Sequence, residues 1–153
     1  MTSIGSRLFT VIALCAALFS ATSASAREAE VYTGTFSSLA VGGYDPVAYF
    51  KAGRPVAGND QFSLQHKGAT WRFSSKENLD AFRANPAAFA PQYGGYCAWA
   101  AAQGGTASGD PEVWKIVNGK LYLNYDRSVQ AKWEKDIPGF IAKADRKWPG
   151  VLN

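Results

Sequence analysis

The sequence predicts an α+β fold: a small antiparallel sheet of two hairpins, about four strands, packed with four to five short helices. Two apolar stretches, over 62–73 and 113–124, are each interrupted by a two-residue turn sequence, which indicates hairpins. Segments of helical periodicity with capping residues follow each hairpin. Strands and helices do not alternate as parallel sheets require. The chain has 153 residues, 47% of them hydrophobic. We therefore expect one globular domain without an internal repeat.

The first twenty-six residues have the pattern of a secretory signal peptide. Arg7 precedes an uncharged apolar run over 8–19, and a small-residue A-x-A cleavage site follows at 24–26. The apolar run is shorter than the roughly 20 residues that a membrane-spanning helix needs. We therefore expect cleavage after Ala26 and a soluble, periplasmic or secreted mature chain of residues 27–153.

Removal of that segment changes the inventory of reactive side chains. The mature chain would keep fifteen basic and twelve acidic residues, a formal charge of +3 that gives no indication of a nucleic-acid partner. It would also keep one cysteine, Cys97, one histidine, His66, and no methionine. An intramolecular disulfide is then impossible, and one chain cannot assemble a Cys/His zinc site or a His₂Cys copper site.

The first half of the mature chain predicts an arm, a short helix and a hairpin. Residues 27–43 are polar and rich in Gly and Ser, which indicates an N-terminal arm before a single domain over 44–150. Asp45, followed by proline, is the type of residue that caps the N-terminus of a helix. The runs at 62–65 and 69–73 predict the two strands of the first hairpin.

A helix is expected directly after this hairpin. The sequence Ser74-x-x-Glu77 has the pattern of a capping box, so Ser74 is the predicted N-cap. Leu79 and Phe82 recur at helical spacing and predict its buried face.

The second half repeats this alternation of helix and hairpin. An Ala-rich helix is predicted over 96–103, after a Gly-Gly pair. The strands 113–117 and 120–124 are separated by Asn118-Gly119, a pair that accepts the positive φ angles of a type I′ turn. Asp126 is predicted to cap a further helix, and a last helix follows it.

Cys97 is the main candidate for chemistry. It opens the Ala-rich helix, where backbone N–H groups can lower the pKa of a thiol. The sequence allows either a reactive or ligating thiol or a small buried core residue. The order Cys-Ala-Trp is similar to the catalytic helix of papain-like thiol proteases, which place a histidine downstream. His66 lies upstream beside a turn, where it is either solvated or a partner of Cys97, so a Cys-dependent hydrolase or redox enzyme is a third-ranked hypothesis.

Tyrosines in glycine-flanked or turn-flanked positions suggest a second kind of site. Such residues either fill the core with their hydroxyls at its rim or line a pocket with polar tips. The predicted ligand-binding residues are Tyr44, Asp45, Tyr49, Tyr93, Tyr96 and Trp99.

Four segments in order, residues 43–50, 68–78, 82–86 and 93–98, resemble the YHS domain family. The continuation over 110–124 is similar to the exported, stand-alone branch of that family. The resemblance spans roughly residues 40 to 150. It implies a treble-clef-like core and metal binding, with copper as one candidate metal.

The departures from the family concern the metal ligands. Metal-associated members typically carry cysteines near the Asp-Pro-Val segment and around the strand-to-helix turn, where this chain has Ala48, Ser74 and Asn78. Cys97 is the only soft ligand on a matched position. The leading hypothesis is a binding module for a soft metal such as Cu(I), held by Cys97 with His66 or with the same cysteine of a second chain in a homodimer. The alternative is a small-molecule binding protein without a metal.

Overall fold

The computed structural model describes residues 26–153, so the predicted signal peptide lies outside the described residues apart from Ala26. Strand β1 (Asn59–His66) pairs with β2 (Ala69–Phe73), and β3 (Asp110–Val117) pairs with β4 (Lys120–Asn124), both antiparallel. The two hairpins form two separate two-stranded sheets. The α+β prediction is confirmed. The helices are α1 (Ala48–Lys51), α2 (Lys76–Ala84), α3 (Pro86–Phe89), α4 (Ala98–Gln103), α5 (Arg127–Trp133) and α6 (Ile137–Lys147).

None of the helices within residues 26–153 has both the length and the apolar character needed to cross a membrane.

Both hairpins close through turns in which two successive residues have positive φ. The angles are 51° and 74° at Asn118 and Gly119, as the Asn-Gly pair predicts for a type I′ turn. Lys67 and Gly68 repeat them with 50° and 75°. This turn type matches the right-handed twist of the strands, and it fixes the strand register on either side.

The sequence predicts side-chain caps for α1, α2 and α5, and one of them is shifted from its predicted position. Asp45 and Asp126 accept backbone N–H groups at the start of α1 and α5, which confirms both predicted caps. The capping box predicted from Ser74 is wrong by one residue, because Ser75 caps α2 by accepting the Asn78 N–H at 3.1 Å. The Ser74 hydroxyl does not cap the helix, because it donates a hydrogen bond to Asp45 at 2.6 Å.

The two halves of the chain are built from the same succession of elements. A turn at Ala40–Gly43 leads to α1, a hairpin and α2, and a turn at Gln92–Gly95 leads to α4, a hairpin and α5. The last three residues of the first turn have φ angles of 52°, 58° and 84°, and those of the second have 55°, 61° and 85°. Each half therefore starts from the same unusual backbone conformation.

The correspondence extends to the strands. Each hairpin has a strand of eight residues and a strand of five. The register breaks between Asn59 and Ser63 in one hairpin and between Asp110 and Trp114 in the other, 51 residues later. The expectation of no internal repeat is therefore wrong. A unit recurs after 51 or 52 residues, and its two copies share little sequence beyond the Gly-Gly-Tyr turn and the hairpin glycine.

The two copies share their hydrophobic core through β4. Leu121 and Leu123 pack with Trp71, Phe73 and other residues of the first half in one cluster. Tyr122, between them, belongs to a second cluster with Trp133 and Ala144. Successive side chains of a strand point to opposite faces, so β4 joins the two clusters.

The arm packs against the second copy. The Glu28 N–H donates to the Leu152 carbonyl at 2.8 Å, and the Tyr32 N–H donates to the Gly94 carbonyl at 2.9 Å. Val31, between these contacts, is buried. The arm therefore forms part of the folded body.

Two glycines at equivalent positions test the repeat. A Cβ atom on Gly58 would lie 2.5 Å from Arg72 Cβ, and one on Gly109 would lie 2.8 Å from Leu123 Cβ. We expect Gly58→Ala and Gly109→Ala each to lower the free energy of unfolding by about 1–3 kcal/mol through overpacking. Gly105→Ala, with no atom within 4 Å of the added carbon, should change it by less than about 0.5 kcal/mol. Urea unfolding measures all three, and equal midpoints would contradict the prediction.

Candidate functional site

An open cleft of about 730 Å³ lies where the turns of the two hairpins approach α3 and the end of α6. The first hairpin contributes His66, Lys67 and Trp71, and the second contributes Lys120. The arm, the second Gly-Gly-Tyr turn and the C-terminal segment complete the walls with Glu30, Tyr93, Asp145 and Trp148. Both copies of the unit thus contribute to one cavity.

Aromatic rings in fixed orientations form two walls of the cleft. The Trp71 indole N–H donates to the His66 carbonyl at 3.0 Å, and its ring packs on Phe82 with centroids 4.8 Å apart. Trp148 packs against Tyr93 and Tyr96 at centroid distances of 5.8 and 5.9 Å. These contacts hold the rings in place before a ligand arrives.

The ionisable groups of the cleft are mostly engaged with one another. Lys67 forms an ion pair with Glu30, and the Tyr93 hydroxyl donates to Asp145 Oδ1 at 2.8 Å. Burial raises the pKa of Tyr93 far above its ordinary value, and the hydrogen bond to Asp145 raises it further. Tyr93 therefore remains a proton donor at neutral pH. Lys120 takes part in none of the ion pairs formed among residues 26–153, so its charge faces the cleft without a carboxylate partner.

Two of the predicted pocket tyrosines connect the copies instead of lining the cleft. The Tyr44 hydroxyl donates to Glu112 at 2.9 Å, and the Tyr49 hydroxyl donates to the Pro111 carbonyl at 2.8 Å. Burial raises the pKa of Tyr49, whose ring also packs edge-on against Trp114. These residues hold the first turn and α1 against β3.

The remaining predicted pocket residues are also dispersed. Tyr96 donates to the Ala29 carbonyl at 2.9 Å, and the Trp99 ring lies under the Lys132 ammonium. Asp45 is completely buried within the first copy. The structure therefore brings only Tyr93 of the six predicted ligand-binding residues into the cleft.

The predicted metal ligands lie in different surroundings. Cys97 is 1% exposed, and its Sγ lies 3.6 Å from Asn124 Oδ1, which also accepts the Trp99 N–H at 3.2 Å. The His66 ring packs edge-on against Trp71 and Phe82. Residues 26–153 contain no group of three or more His, Cys, Asp or Glu side chains placed to hold a metal ion. Cys97 has the surroundings of a packed core thiol.

Most of the cleft was not found from the sequence. Lys120, Asp145 and Trp148 carry no functional signal in the sequence, because each lies in an ordinary polar or amphipathic segment. The Gly-Gly-Tyr sequence at 42–44 and again at 94–96 was the available signal. Recognised as a repeat, it would have placed two hairpin turns in equivalent positions and pointed to a cavity between the copies.

Comparison with known proteins gives one match. The YHS domain family model matches residues 47–93. No curated protein and no solved structure matches the chain. The matched segment runs from the start of α1 through the first hairpin, α2 and α3 into the second Gly-Gly-Tyr turn. It therefore coincides with most of the first copy of the repeated unit, and over this copy the chain is similar to the YHS domain family.

Proposed function

We propose that the protein is an exported binding module that holds a small organic molecule in the cleft between its two hairpins. The observation that carries this proposal is the cleft itself, with a volume of about 730 Å³ and walls from both copies of the unit. Ligand pockets typically enclose about 300–1,000 Å³ and combine aromatic walls with a few polar groups. Such pockets often lie between structural units, as this one does.

The side chains of the cleft indicate the class of ligand. Trp71, Tyr93 and Trp148 line the cleft, and of these Trp148 is the partly exposed ring that an aromatic or flat apolar body can pack against, while Trp71 and Tyr93 are buried behind the wall. Lys120 is a positive charge in none of the ion pairs among residues 26–153, and Glu30 is paired with Lys67. Asp145 is also in none of these pairs, but one of its oxygens accepts the Tyr93 hydroxyl, which leaves Lys120 as the cleft's charged donor for a ligand. The best match is therefore a small aromatic molecule with one acidic group.

A binding role agrees better with these contacts than a catalytic one. The thiol of Cys97 is buried beside an amide, and none of its described contacts is a general base. Tyr93, the hydroxyl at the cleft, has a raised pKa and keeps its proton at neutral pH.

Indole-3-acetate is a suitable first probe of the cleft, followed by a panel of small aromatic carboxylates. We expect at least one compound to shift amide resonances around Gly94 and Lys120 in ¹H–¹⁵N spectra. Lys120→Gln should weaken its binding several-fold, because a charge-assisted contact contributes about 1.5–3 kcal/mol before screening by solvent. Lys51→Gln, at an exposed position at the end of α1 and outside the lining of the cleft, is the matched control. Shifts located elsewhere, or no shifts with any compound, would contradict the proposal.

Export is proposed from the N-terminal pattern. The backbone is bound into the folded body from Glu28 onward, directly after the predicted cleavage site. We expect the protein recovered from the periplasm or the medium to begin at Arg27, as an intact-mass measurement will show. A retained Met1 or a lipid on Cys15 would contradict the proposed compartment.

The family resemblance also implies metal binding, and one substitution tests whether Cys97 holds copper. A thiol that is 1% exposed is not available to a second chain, and His66 lines the cleft while Cys97 does not. We therefore expect Cys97→Ala to lower the free energy of unfolding by about 1 kcal/mol through lost packing. Competition titrations with a Cu(I) chelator should give the same weak binding before and after the substitution. One equivalent bound by the parent and none by the variant would restore the metal hypothesis.

A further inference from the structure

Asp45 is a buried charge that the proposed cleft does not use. Its carboxylate is completely buried and accepts five hydrogen bonds. Oδ1 accepts the N–H groups of Val47 and Ala48 at 2.8 and 3.3 Å. Oδ2 accepts the N–H of Ser74 at 2.8 Å, its hydroxyl at 2.6 Å and the side-chain amide of Asn78 at 2.7 Å. Asp45 belongs to none of the four ion pairs formed among the described residues, so these donors alone compensate its charge.

Three segments of the chain meet at this carboxylate. Asp45 lies between the first Gly-Gly-Tyr turn and α1, Ser74 follows β2, and Asn78 lies in the first turn of α2. Ser74 and Asn78 also occupy places where the family resemblance puts thiol ligands of a metal. We call Asp45, Ser74 and Asn78 the Asp45 cluster.

The Asp45 cluster does not match the requirements of a metal site. A metal ligand offers a lone pair, but the Ser74 hydroxyl and the Asn78 amide both direct hydrogens to Asp45. Five donors already use the lone pairs of the carboxylate. A cation entering this position would have to break hydrogen bonds to the buried Asp45 carboxylate. Water is not available there to replace the lost hydrogen bonds.

The second copy has a related arrangement around Cys97. Cys97 stands 52 residues after Asp45, and both N–H groups donate to equivalent loop carbonyls, Val56 for Asp45 and Ala107 for Cys97. Trp99 stands 52 residues after Val47, and its N–H donates to Asn124 Oδ1, since a thiol is a poor acceptor. Each copy therefore ties the start of a helix to the end of a strand with a buried oxygen acceptor.

We infer that the Asp45 cluster supplies, by hydrogen bonds, a cross-link between loop, strand end and helix at the place where the family resemblance puts thiol ligands of a metal. The fold is therefore independent of metal, and this position is closed to metal ions. The inference concerns the interior of the first copy and does not depend on what the cleft binds.

The first test removes the acceptor while keeping its shape. In Asp45→Asn an NH₂ group faces N–H and O–H donors, so we expect the thermal midpoint to fall by roughly 10 °C or more. Asp126→Asn is the matched control, because this half-buried cap of α5 accepts hydrogen bonds from one side chain, the Ser128 hydroxyl, and one backbone group, the Val129 N–H, and Asn caps helices as well as Asp does. Equal midpoints for the two variants would overturn the inference.

The second test asks about the metal directly, with Co²⁺ as the probe. Treatment of the parent protein with a strong chelator should leave its thermal midpoint unchanged, and added Co²⁺ should give no thiolate-to-cobalt absorption band. The variant Asp45→Cys/Ser74→Cys/Asn78→Cys should gain that band and a higher midpoint with Co²⁺, because three thiolates then replace the acceptor and its donors.

Each arm has an outcome that contradicts the inference. A parent protein that unfolds on chelation and refolds with metal would overturn it, whatever the triple variant does. A triple variant that folds without binding Co²⁺ would show that the three side chains do not converge on a metal-sized position. The resonances of the cleft amides stay unaffected in both arms, which separates this inference from the proposed function.

Discussion

The buried carboxylate of Asp45 is the interaction on which the first copy of the unit depends. A carboxylate without water or a cation is costly unless its oxygens receive hydrogen bonds, and here five donors from three segments converge on it. The same contacts cap α1, end β2 and orient α2. Loss of any one donor would leave the charge less compensated, so the cluster fixes the relative positions of all three elements.

The repeat explains why a small chain can form a sizeable cleft. Each copy alone has a single hairpin, and an isolated two-stranded sheet is at best marginally stable. Packing two copies around β4 buries both faces of that strand, with Leu121 and Leu123 on one side and Tyr122 on the other. The hairpin turns remain at the surface near one another, and the arm and the end of α6 close the sides of the cleft.

The sequence predicts local structure well, because turns and caps depend on neighbouring residues. Asn118-Gly119 requires positive φ, and Asp126 needs only an N–H three residues away. Ser74 shows the limit of such local prediction. Its sequence pattern is that of a helix cap, but its hydroxyl donates to a carboxylate 29 residues away. The prediction of pocket tyrosines fails for the same reason, since the hydroxyls of Tyr44 and Tyr49 donate to residues 68 and 62 positions further along the chain. Cys97 was left open between reactive and buried, and its burial beside Asn124 depends on how β4 packs against α4.

Native-state hydrogen exchange tests the central claim most directly, with protein from which every metal ion has been stripped. The amides of Val47 and Ser74 donate to Asp45 from separate segments. If hydrogen bonds to the carboxylate hold the segments together, both amides exchange only through global unfolding, as slowly as the most protected strand amides. Rapid exchange of these amides in a protein whose β4 remains protected, with slow exchange restored by added metal, would contradict the account.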